Sequence, residues 1–298
     1  MSQQHAPDAV QGAGEIAGHA AEATDAAHAG GHGGDIGTTI LHHITDANTL
    51  DLGFTWNGHP VEIHLPHLEV FGVDMSITKH VVMMWIASAL LIVGFGMAFR
   101  GRRLVPRGIA NLLELIVVFV RDEIAVKNIG AKHGRRMTPY LLTLFFFILV
   151  CNLLGLVPFG ATATGNVNVT AALAILSFFM IQLEGMRENG FLGHWKNLVP
   201  HGLPIFVIPI MIIVEVLGMF VKPFALCVRL FANMTAGHVA ILAFLGMIFI
   251  FKSSLVAVAA VPLALAIMGL ELFVAFLQAY IFTMLTSLFI GFSIHPSH

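Results

Sequence analysis

Seven ionisable or amide side chains interrupt two long apolar stretches near the end of this 298-residue chain. The first stretch runs from Leu203 to Phe251 and holds Glu215, Lys222, Arg229, Asn233 and His238. The second runs from Leu255 to Phe292 and holds Glu271 and Gln278. Such groups are costly at membrane depth and turn toward a partner or a water-filled cavity. A histidine and a carboxylate within reach of each other can pass a proton near neutral pH. An arginine does not deprotonate in a protein. Arg229 is therefore a fixed charge that no proton can pass through, and it draws a nearby carboxyl group toward its ionised form. Glu215 and Arg229 lie close to four helical turns apart and share one face. Asn233 joins them one turn after Arg229.

The turn between the stretches sets these groups against one another. Lys252-Ser253-Ser254 is the only polar break between them. In an antiparallel hairpin, residues equally distant from the turn lie level. His238 and Glu271 are equally distant from the Ser254–Leu255 bond, and Arg229 and Gln278 from the Ser253–Ser254 bond. Two polar pairs are thus expected across one hairpin, with His238–Glu271 nearer the turn. Lys222 adjoins Pro223, whose freed carbonyls are expected to hold it, and it is given no part in proton transfer.

The chain is 57% hydrophobic and 11% charged, against roughly 25% charged in soluble domains. Its outer surface must mostly face lipid. The formal net charge is −2, and nothing in its distribution suggests a nucleic-acid partner. Cys151 and Cys227 both lie in apolar runs and read as structural thiols, not a disulfide framework. Residues 1–78 contain no Lys or Arg but many Asp, Glu and His. This segment lacks the basic and apolar regions of a signal peptide. It reads as an acidic, His-rich tail, largely flexible and ordered at most near His42–Phe71. A metal site on its histidines is the lesser reading. Residues 79–298 read as the membrane domain.

A helix of about 20 apolar residues crosses a bilayer. The expected spans are 81–99, 140–157, 169–183, 203–251 and 255–292. The 203–251 stretch would reach roughly 74 Å as one helix, so it is either steeply tilted or split in two near Lys222-Pro223. Nine basic residues fall between Arg100 and Arg136, with Arg187 and Lys196 after the third span. The positive-inside rule puts those connections in the cytoplasm and the tail outside. Within the first connection, Leu112, Leu113, Ile116, Val120 and Ile124 recur at helical spacing. Ile109–Ala125 is accordingly expected as an amphipathic helix at the cytoplasmic interface. The fold class is all-α integral membrane, with about five transmembrane helices plus this interfacial helix.

The run Val228-Arg229-Leu230-Phe231-Ala232-Asn233-Met234-Thr235-Ala236-Gly237-His238, preceded by Glu215 and Lys222-Pro223, resembles the signature of subunit a of the F-type ATP synthase, bacterial type. Glu271 with Leu277-Gln278-Ala279-Tyr280-Ile281-Phe282 continues the likeness, as does Cys151-Asn152-Leu153-Leu154-Gly155-Leu156-Val157-Pro158. The resemblance covers roughly residues 65–292. It implies a stator subunit in a bacterial inner membrane, lying against a rotating ring of c subunits and held by peripheral-stalk b-type subunits. It implies a steeply tilted hairpin for the last two helices, and so favours the single long helix with the C-terminus in the cytoplasm. Two offset half-channels would carry protons to and from the ring carboxylates, with Arg229 separating them. Asn233, His238, Glu271 and Gln278 would border the outer half-channel, with Glu215 nearby or on the cytoplasmic side. Gly155 stands where some bacterial members carry an acidic residue, so no ion role passes to it.

Two other classes compete. A stand-alone secondary transporter would use the buried arginine to bind an anionic substrate, but the two long stretches show no internal repeat of the kind such folds carry. A haem-carrying subunit would need paired histidines at membrane depth, and only His238 qualifies, because His80, His194 and His201 sit at span ends. No cofactor or metal is expected. No Gly-rich phosphate loop precedes a Lys-Ser/Thr, so the chain is not expected to be catalytic itself, and ATP chemistry would belong to partner subunits.

Overall fold

Among the described residues, five helices long and apolar enough to cross a membrane follow two short β-ladders. The computed structural model describes residues 49–56, 59–64, 69–70, 73–74, 78–100, 108–157, 162–196, 208–251 and 254–295. All belong to one compact unit, Asp46–His298; the other unit, Met1–Thr45, lies outside the described residues. Most of the expected flexible tail therefore lies outside them as well.

The all-α expectation includes no strands. In the structure, β1 (Thr49–Trp56) pairs antiparallel with β2 (His59–His64), from Thr49↔His64 to Trp56↔His59. A smaller ladder joins β3 (Glu69–Val70) to β4 (Val73–Asp74). The signal was present. Leu50, Leu52, Phe54 and Trp56 alternate with other residues, and Asn57-Gly58 stands between the two strands, a strong short-range hairpin marker.

The membrane part is all-α. Helix α1 spans Lys79–Ala98, and about half of its apolar side chains, such as Trp85 and Ile92, are exposed. Helix α2 (Ile109–Phe119) continues into a π-helical segment, Val120–Val126, and a short α3, Lys127–Ile129. Together they form the expected amphipathic element. Val120 and Ile124 are buried while Leu112 is exposed, so the inward stripe runs through Leu113 and Ile116 instead. Gly130, at φ 95°, turns the chain into α4 (Ala131–Gly155). This helix starts nine residues ahead of the expected span, because Lys132 to Arg136 continue the helix past the apolar core. Asn166 caps α5 (Val167–Asn189) by accepting a hydrogen bond from the Asn168 amide at 2.8 Å, which satisfies one orphan donor of the first turn. Gly190, at φ 72°, ends it. A short α6, Phe191–Lys196, follows.

The last two helices are α7 (Ile208–Phe251) and α8 (Ser254–Ile294). Pro223 lies inside α7, and the helix runs through it, so the split near Lys222-Pro223 is ruled out. Forty-four residues of helix measure about 66 Å, twice the bilayer core, which fits only at a steep tilt. Helix α8 packs on α7, α4 and α5. On α7 the buried stripe is Leu226, Leu230 and Met234; on α8 the fully buried Ala275 and Ala279 permit close approach. The main core joins Ile124, Leu141, Ile148, Leu230, Phe282 and Ile290.

Candidate proton site in the terminal hairpin

The hairpin brings four of the expected residues together. His238 Nδ1 on α7 lies 3.4 Å from Glu271 Oε1 on α8. The carboxylate is buried, at 3% exposure, and the imidazole is about three-quarters buried. Gly237 makes room for this contact. A Cβ there would sit 2.9 Å from Glu271 Cδ, closer than carbon atoms pack. The second level differs from expectation. Gln278, fully buried, accepts a hydrogen bond at Oε1 from Asn233 Nδ2 at 3.2 Å. Its amide partner is thus Asn233, one turn from Arg229. Side chains on antiparallel helices lean in opposite directions, which shifts contacts from equal-distance positions.

Arg229 lies on the exposed side of α7, next to the buried Leu230. Among the described residues, no hydrogen bond or ion pair reaches its guanidinium. Glu215 lies on α7 as expected, but its side chain is outside the described residues. Lys222 is not held by carbonyls freed at Pro223; its Nζ sits 5.2 Å from the centre of the Phe289 ring on α8, a cation–π contact.

A buried polar seam braces the hairpin, and the sequence reading did not single it out. Asn152 of α4 donates from Nδ2 to the Ala275 carbonyl at 3.3 Å and accepts at Oδ1 from Thr164 Oγ1 at 2.6 Å. Thr235 Oγ1 donates to the Gly165 carbonyl at 3.4 Å. The 3₁₀ turn Ala163–Gly165 is thereby wedged between α4 and α7, with Ala163 and Thr164 buried. Thr162 fills the space beside Gly155, where a Cβ would overlap its side chain. That accounts for glycine at this position. The available signal was Asn152 itself, an amide inside an apolar span.

A second buried carboxylate lies elsewhere. Glu184 of α5, at 2% exposure, receives Arg187 Nη1 at 2.7 Å and has Arg136 Nη2 of α4 at 3.9 Å. Nearby, Asn189 Nδ2 donates to the Ser293 carbonyl at 3.0 Å, tying α5 to the end of α8. His194 on α6 meets Gln182 Oε1 at 2.7 Å, and burial lowers the affinity of its imidazole for a proton. Among the described residues, no group of three or more His, Cys, Asp or Glu could hold a metal ion.

Residues 81–291 match the family described as ATP synthase A chain. The chain belongs to that family. A protein of Anaeromyxobacter dehalogenans (strain 2CP-C) named ATP synthase subunit a is 51% identical over 307 residues, covering 96% of this chain and 79% of that one. A relative from Chloroherpeton thalassium with the same name is 51% identical, covering 87% and 77%. One from Chlorobaculum tepidum named ATP synthase subunit a 2 is 51% identical, covering 93% and 78%. The 96% coverage carries the likeness further into the acidic tail than residue 65, where the motifs suggested it stopped. As a member of the subunit a family, the chain is a multi-pass membrane component of the F-type ATP synthase.

Proposed function

We propose that this chain is the proton-translocating stator subunit of its complex, providing two offset half-channels to the carboxylates of a rotating c-ring. The observation that carries the reading is the polar ladder inside the hairpin. His238–Glu271 stands at one level and Asn233–Gln278 at the next, with Arg229 about 6 Å further along α7. Glu271 Oε2 and Gln278 Nε2 are buried without a hydrogen-bond partner among the described residues. Buried polar atoms of this kind are ordinarily satisfied by ordered water. A His–carboxylate pair next to such water can take up and release protons.

Arg229 has the opposite character. It keeps its charge at any physiological pH, and its place on the exposed side of α7 suits an approaching ring carboxylate. A proton arriving on that carboxylate is released as Arg229 draws the group toward ionisation, and Arg229 itself passes nothing. Asn233, His238, Glu271 and Gln278 border the outer half-channel in this reading. Glu215 serves nearby or on the cytoplasmic side.

Residues 1–78 form the periplasmic tail and 79–298 the membrane domain of a bacterial inner-membrane protein. The C-terminus lies in the cytoplasm, on the side of the basic connections. Peripheral-stalk b-type subunits hold the chain against the ring. Replacing Arg229 by Ala tests the reading. The complex is expected to assemble with proton-driven ATP synthesis abolished; normal coupled synthesis would remove Arg229 from its role.

A further inference from the structure

A basic groove at the corner of α2 and α4 plays no part in the hairpin. It measures about 640 Å³ and is lined by Arg121 and Asp122 of the π segment and by Arg135, Thr138 and Pro139 of α4. Two features shape it. The seven-residue π segment carries Arg121 and Asp122 on a widened turn, a distortion that often marks a functional position. Gly134 lets α4 press against that turn; a Cβ there would lie 2.6 Å from the Ala125 carbonyl oxygen. Arg121 and Arg135 thus line one groove from two separate elements.

The charge balance favours an anion. Asp122 is engaged at both oxygens by Arg121, through Nε at 2.7 Å and Nη2 at 2.8 Å. That hydrogen bonding, with the charges of Arg121 and Arg135, holds its carboxyl below the usual carboxylate range despite partial desolvation. Arg121 Nη1 and the Arg135 guanidinium have no hydrogen-bond partner among the described residues. Lys132, exposed one turn before Arg135, adds a third positive charge. The neighbouring Lys127 is already paired with Glu123 at 3.0 Å. The depth suits a headgroup. From Tyr140 onward α4 is apolar, and Val118, one turn before Arg121, is exposed.

We propose that this groove seats the phosphate of an anionic phospholipid, with its acyl chains lying along α2 and the apolar part of α4. A free phosphate ion shares the anion chemistry but not the apolar track. Basic pockets between helices at a membrane surface bind such headgroups. The proposal rests on this corner lying at a membrane interface but not on which face it is. In nanodiscs lipid reaches both faces, so the test is independent of the half-channel reading.

The test uses the purified complex carrying this chain, in phosphatidylcholine nanodiscs doped with a photoreactive phosphatidylglycerol, with adducts mapped by mass spectrometry. Adducts are expected on the peptides bearing Val118–Asp122 and Arg135–Leu142. Labelling should fall about ten-fold in the Arg121→Gln/Arg135→Gln variant and persist in Arg121→Lys/Arg135→Lys. The lysine variant separates loss of charge from loss of fold. Equal labelling by a photoreactive phosphatidylcholine, labelling unchanged by the glutamine variant, or no labelling of these peptides in the assembled complex would overturn the proposal. Displacement by soluble glycerol phosphate would assign the groove to a free anion and overturn the lipid.

Discussion

Glu271 and Glu184 are both buried carboxylates in the same helical bundle, with nearly equal exposure. Their partners differ. Glu184 is clamped by Arg187 and approached by Arg136, two groups that keep their charge. The two guanidiniums offset its negative charge, and the contact with Arg136 links α5 to α4. Glu271 faces a histidine, the side chain that changes charge nearest neutrality, and keeps one oxygen without a partner among the described residues. Burial alone does not make a carboxylate a proton carrier. The partner decides whether the charge is fixed or exchangeable, and Arg229, set along the same hairpin as Glu271, is the proposed point where exchange stops.

The contrast can be broken by substitution. Replacing Glu271 or His238 by Ala should lower proton-driven ATP synthesis by a factor of about 100 per assembled complex, in the range of general acid–base effects. Glu184→Gln should destabilise the purified complex to heat yet leave synthesis within about a factor of two, since the half-exposed arginines retain access to water. A loss in Glu184→Gln as large as in Glu271→Ala would erase the distinction.

Gly237→Ala sharpens it at constant charge. The added methyl would displace the Glu271 carboxyl without removing any titratable group. Synthesis in membrane vesicles should fall by roughly ten-fold with assembly unchanged, as sub-ångström misplacement commonly costs. Unchanged synthesis would show that the His238–Glu271 distance is not critical.

The smallest effect concerns His194. Burial lowers its proton affinity in the folded protein, so below its ordinary value of 6.5 the unfolded state binds more protons and local stability falls with falling pH. The protection of α6 amides, taken as the exchange rate relative to that of an unstructured chain at the same pH, should fall as pH drops through about 6.5 toward the folded value and be constant above it. His194→Gln should flatten that dependence. A pH-dependent protection that persists in His194→Gln would point to another group.

Much of the hairpin was legible because helical geometry is local. The distances from the turn placed His238 beside Glu271, whereas hydropathy left a split at Lys222-Pro223 open and only the family resemblance favoured one helix through Pro223. The partner of Gln278 was not legible, because one helical turn of offset depends on how side chains lean within the packed pair. Glu184 escaped notice because its burial arises from tertiary packing, and Arg136 comes within 3.9 Å of it from far along the chain. The wedge at Ala163–Gly165 depends on Asn152, Thr164 and Thr235 meeting from three elements. The β1–β2 hairpin is a different case. Its alternation and Asn57-Gly58 were readable, but the acidic, low-complexity surroundings masked them.

The central claim is that His238 and Glu271 act as one exchangeable pair. Exchanging them in a His238→Glu/Glu271→His double variant, and measuring proton-driven ATP synthesis in vesicles, tests it most directly. The double variant should retain more activity than either single Ala replacement, because the same two groups would still face each other across the hairpin. Equal loss in all three variants would contradict the account.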